Sequence, residues 1–181
     1  MLSKNILVPV ANGIEELECV TIIDVLRRAG LAVRVSSIEN REITGANGIK
    51  IIADSEFIDE VIEDYDAIIL PGGTEGAEHF YDYTPLVQAL TSFASTNKLI
   101  GAICASPALV LARAGLLDSK RATCYPALKA KLKHYSTDAV IVDGNIITSQ
   151  GPGTALTFAL KLAEILAGAK IAQDIKAAML A

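Results

Sequence analysis

Runs of Ile, Val and Leu alternate along the chain with longer segments in which apolar residues recur every three or four positions. Short apolar runs bounded by Gly, Asn or Pro read as buried strands, and the longer periodic segments read as helices. NILVPV, residues 5–10, predicts the first strand. IEELECVTIIDVLRRAG predicts a helix with Leu17, Val20, Ile23 or Asp24, and Arg27 at three- and four-residue spacing, stopped at Gly30. LAVRVSSI is a second strand, and ITGANGIKIIAD is a hairpin or edge strand because Asn47-Gly48 is a turn signal between apolar residues. DAIILPGG ends a further strand in two glycines, PLVQALTSFAST is a helix, and KLIGAIC passes from strand directly into helix at Cys104. AVIVDGNIITS turns at Asp143-Gly144-Asn145 as a second hairpin, and helix after QGPGT closes the chain.

This alternation predicts an α/β fold with a mostly parallel, doubly wound sheet covered by helices on both faces. No repeat, linker or shift in composition divides it, so residues 1–181 are expected to form a single domain. With 51% hydrophobic and 20% charged residues, the chain can bury a core without disulfide or metal staples. The three cysteines, Cys19, Cys104 and Cys124, are odd in number and widely spaced, which suits free thiols in a reducing compartment; the cytoplasm is expected. The opening segment reads as a strand with no cleavage-like site, and no apolar run approaches the ~20 residues of a membrane span. A net charge of -5 argues against a general affinity for nucleic acid. One basic stretch gathers Lys120, Arg121, Lys129, Lys131 and Lys133, and the alternating Lys of ALKAKLKH read as a solvated helix face.

In an open parallel sheet, ligands bind at the carboxyl ends of the strands. Those exits carry Asn12 to Glu18, Pro71-Gly72-Gly73-Thr74, Cys104-Ala105-Ser106 and Gln150-Gly151-Pro152-Gly153-Thr154. Cys104, at a strand-to-helix elbow, is placed for free backbone N–H groups and the positive helix end to favour a thiolate. The N–H groups of Gly73 and Ala105 are in position to form an oxyanion hole, although Pro-Gly-Gly is also an ordinary tight turn. Glu15 and Glu16 are explained by the helix dipole alone, whereas a partly desolvated Glu18 can hold a proton near neutrality and share it with the thiol. Gly151-Pro152-Gly153 lacks the third glycine of a dinucleotide fingerprint, so no cofactor is expected, and no metal. His79 follows the Gly-Gly loop and reads as a helix-surface residue.

VANGIEELE, LPGG, AICASP and SQGPGT, in this order and at these separations, resemble the DJ-one branch of the ThiJ/PfpI superfamily, and within it the bacterial YajL-like members. The match runs the length of the chain. The resemblance implies a flavodoxin-like three-layer sandwich, a homodimer, a nucleophilic and oxidation-sensitive Cys104, and Glu18 bonded to it. It places backbone donors at Gly73 and Ala105, and Glu15, Gly72, Tyr125, Pro126, Gly151 and Pro152 around the pocket. The activity it implies is cofactor-free: glyoxalase III conversion of methylglyoxal to lactate, or deglycation of early glycation adducts, in carbonyl and oxidative stress. A redox sensor or holdase chaperone is the alternative. Several relatives carry histidine where this chain has Tyr125, which leaves a third proton-transfer group in question. Protease-like members carry histidine where this chain has Ala105, so a Cys-His protease is disfavoured.

Overall fold

A computed structural model describes residues 3–181; residues 1 and 2 of the expected domain lie outside it. β1 (Asn5–Val10), β2 (Ala32–Ser37), β5 (Ser55–Glu56), β6 (Ala67–Leu70), β7 (Leu99–Ile103), β8 (Val140–Asp143) and β9 (Ile146–Ser149) form one sheet in the order β5-β2-β1-β6-β7-β9-β8. Every pairing is parallel except β8 with β9. β3 (Glu42–Thr44) and β4 (Lys50–Ile52) make the expected hairpin as a separate antiparallel pair. Because both faces of the sheet are covered, β1 has no polar face: Ile6, Leu7, Val8 and Val10 are all fully buried.

The helices are α1 (Glu16–Arg28), α2 (Thr74–Asp82), α3 (Thr84–Ser95), α4 (Ala155–Ala167) and α5 (Ala169–Ala178). α1, α4 and α5 pack together as one layer, while α2 and α3 belong to the other with a short π-helical segment, Pro107–Leu111. That segment replaces the α-helix predicted after Cys104. The alternating Lys of the basic stretch lie largely in a 3₁₀ segment, Pro126–Lys131, on the surface. Among the described residues no helix is long and apolar enough to cross a membrane.

α1 forms where the periodicity places it, but it buries a different face. Cys19, Ile22, Val25 and Leu26 are buried, whereas Leu17 and Val20 are more than half exposed. Apolar residues on both sides of this helix satisfy helical spacing, and only the tertiary contact with α4 decides which stripe becomes core.

Candidate functional site

From β1 the chain crosses to β2 on one side, and from β6 to β7 on the other, so the direction of winding reverses between β1 and β6. The crevice at such a reversal opens beyond the strand carboxyl ends. Three exits converge there. The loop after β1 leads into α1, whose first turn carries Glu18, fully buried. The exit of β6 supplies Gly72 and Gly73, and that of β7 supplies Cys104.

Cys104 has φ +64°, a left-handed conformation unusual for a side-chain-bearing residue. Its backbone is held from both sides: its N–H donates to Ser149 O at 3.0 Å, and its carbonyl accepts from Tyr125 N–H at 2.8 Å. The next residue but one, Ser106, is buried and donates to Pro71 O at 2.5 Å, tying the elbow to the β6 exit. Gly72 N–H donates to Glu18 Oε2 at 2.8 Å, while Glu18 Oε1 is buried without a hydrogen-bond partner. The Cys104 side chain and the Glu18 carboxyl both lie against Gly72, and the Gly73 and Ala105 amides are near enough to the thiol to act on its ionisation. Cys104, Glu18, Gly72, Gly73 and Ala105 therefore converge at one edge of the sheet.

The electrostatics correct one expectation. Burial, and then the negative charge of Glu18, push the Cys104 thiol up to about 12; the Gly73 and Ala105 amides pull the other way but do not prevail. Burial also raises Glu18, to about 7, against the lowering effect of the Gly72 N–H. An elbow alone does not make this thiol acidic. Two desolvated acids in contact titrate as a unit. In the middle of the pH range they carry one negative charge and one proton between them, and sulfur gains the charge when the proton passes to Glu18.

The remaining pocket residues form a rim. Tyr125 is half exposed beside Gly151, Pro126 and Pro152 are exposed on the same two loops, and Glu15 caps α1 by accepting from Glu18 N–H. Cavities of about 560 and 580 Å³ lie elsewhere, one beside Asn5, Arg34 and Tyr65 and the other between α4 and α5, away from the chemistry. His79 sits 3.2 Å from Glu39 rather than in the cluster. Glu16 is more than a helix-dipole residue: it is buried and accepts from Asn47 N, Asn47 Nδ2 and Ile49 N at 2.7, 2.9 and 3.2 Å. Burial pushes its carboxyl up, but these hydrogen bonds outweigh it and hold it below the ordinary value. Its partners are some thirty residues away, and no local sequence signal points to them. All three cysteines are free, with Cys19 and Cys124 fully buried and Cys104 8% exposed.

A DJ-1/PfpI family model matches residues 4–165. Protein DJ-1 homolog B of Arabidopsis thaliana is 48% identical over 90% of this chain, which spans only 38% of that relative. Protein dj-1beta of Drosophila melanogaster is 39% identical over 99% of this chain and 98% of its own length. The structure of oxidised DJ-1 from Toxoplasma gondii is similar with a TM-score of 0.94 and 41% identity, covering 98% of both chains.

Proposed function

Because the chain belongs to the DJ-1/PfpI family, we propose that it is a cysteine-dependent, cofactor-free enzyme of the glyoxalase III or deglycase type, acting on methylglyoxal or early glycation adducts in the cytoplasm. The observation that carries this reading is the buried Glu18 carboxyl, held by Gly72 N–H, packed with the Cys104 side chain against the same glycine and next to the Gly73 and Ala105 amides. A carboxyl raised to about 7 is matched to accept and return protons near neutrality. As it takes the thiol proton, sulfur bonds to the aldehyde carbon, and the resulting oxyanion accepts from the two amides. Glu18 returns the thiol proton to that oxygen, takes the proton from the former aldehyde carbon and delivers it to the neighbouring ketone carbon as the hydroxyl proton passes to the ketone oxygen, leaving a lactoyl thioester. Water cleaves it, releasing lactate and restoring the thiol. Cys104→Ala and Glu18→Gln are each expected to abolish lactate formation; substantial lactate from the Cys104→Ala protein rules this mechanism out.

A redox-sensing or holdase role is supported by a separate observation: Cys104 alone of the three cysteines keeps some exposure, 8%, and it lies beside an acid that retains its proton to about 7. A sulfinate at Cys104 would accept from that acid. A homodimer is also part of the proposal. Leu17 and Val20 on α1, with Ile49 and Ile52 on the hairpin tied to Glu16, leave large apolar side chains in water.

A further inference from the structure

We infer that Glu15 is a positioning residue for the Cys104–Glu18 pair, acting through a closed ring of three hydrogen bonds. Glu15 N–H donates to Gly72 O at 3.0 Å, Gly72 N–H donates to Glu18 Oε2 at 2.8 Å, and Glu18 N–H donates to Glu15 Oε2 at 2.7 Å. The inference deepens the proposed function, since it rests on the thiol and the carboxyl acting together.

An ordinary N-cap side chain satisfies an amide of its own helix and does nothing else. Here the capped amide belongs to Glu18, the residue whose carboxyl faces the thiol. The backbone of the capping residue is bonded to the β6 exit, which in turn holds that carboxyl. Glu15 thus fixes Glu18 at its backbone while Gly72 fixes it at its side chain, and both links run through one short segment. The packing leaves little freedom for this segment to slide. Gly73 has φ +90°, and a Cβ there would lie 2.7 Å from Glu15 N. Gly76 N–H donates to Gly13 O at 3.2 Å, so the same two loops are joined again just outside the ring. The Glu15 charge also bears on the pair: burial is the main cause of the raised Glu18 carboxyl, and Glu15 adds to it in the same direction.

Two substitutions separate geometry from simple capping. Glu15→Gln keeps an acceptor oxygen for Glu18 N–H, whereas Glu15→Ala opens the ring. Iodoacetamide alkylation of Cys104 is followed by mass spectrometry across pH in the native protein, in both variants, and in each combined with Glu18→Gln. In the native and Glu15→Gln backgrounds, Glu18→Gln is expected to merge a two-step profile into one step. In the Glu15→Ala background the profile is expected to be nearly single-stepped already, with Glu18→Gln displacing it by about half the native amount or less. If Glu15→Ala lowers the melting temperature but leaves the full Glu18→Gln effect, Glu15 is only a cap and the inference is overturned. If Glu18→Gln has no effect in the native background, the pairing itself fails and takes the inference with it.

Discussion

Replacing Gly72 by alanine tests the site with a single methyl group. The backbone of Gly72 lies outside the left-handed region, so the substitution acts through contact alone. Its Cβ would stand 2.5 Å from Glu18 Oε2 and 3.0 Å from Ile103 O, and closer still to Cys104 Cβ. Ordinary contact begins at 3.4 Å, so the carboxylate must withdraw by about 0.9 Å and the elbow must give way on the other side. The 2.8 Å bond from Gly72 N–H is stretched or lost. Overpacking of this kind costs about 1–3 kcal/mol, and loss of a buried bond to a charged group adds about 1.5–3 kcal/mol where it is complete. With the bond lost, ~2–4 °C per kcal/mol lowers the melting temperature by roughly 5–24 °C. A displacement of about 1 Å between reacting groups should lower lactate formation on the order of 100-fold, beyond any loss of folded protein. Gly153→Ala is the control: its Cβ would meet nothing within 4 Å, its backbone is not left-handed, and both quantities should stay near native. Native activity and melting temperature in the Gly72→Ala protein would refute the close packing of acid, glycine and thiol.

Glu18 also predicts how stability varies with pH. Its carboxyl is raised from 4.5 to about 7, so the stabilisation it contributes is fully present below 4.5 and lost as pH climbs through 7, amounting to at most ~3 kcal/mol. Urea unfolding at several pH values should show this decline, and Glu18→Gln should flatten it. Mild peroxide should add oxygen to the peptide containing Cys104 before those of Cys19 and Cys124, because the latter two are fully buried; mass spectrometry gives the order. Glu16→Ala should destabilise the protein by roughly 1–3 kcal/mol in denaturant melts, since it removes the buried carboxylate that accepts from Asn47 and Ile49 on the exposed hairpin turn.

Strand-forming runs were readable because parallel strands buried on both faces are continuously apolar, as β1, β6 and β7 are. The two hairpins announced themselves through Asn47-Gly48 and Asp143-Gly144-Asn145. Local pattern could not select the buried stripe of α1, nor foresee the π geometry after Cys104, because each is decided by what packs against it. The site residues were legible for a related reason: chain order assigns them to strand exits, and strand exits meet at one edge. Their ionisation was not legible. Whether an elbow thiol is acidic depends on how much water and which charges surround it, and here Glu18 approaches from a segment 86 positions away. Tyr125 shows the same division, since only the resemblance to relatives pointed to it, and the fold shows its N–H bonded to Cys104 O and its ring half exposed against Gly151.

The claim on which the chemistry turns is that one proton is shared between Glu18 and Cys104. With Cys19 and Cys124 replaced by alanine, the absorbance difference between this protein and its Cys104→Ala derivative across pH reports the Cys104 thiolate free of the tyrosine signal. The native pair should ionise in two steps, a partial rise near pH 7 and the remainder towards 12, and Glu18→Gln should replace them with one step in between. A single native step that Glu18→Gln leaves unmoved would contradict the account.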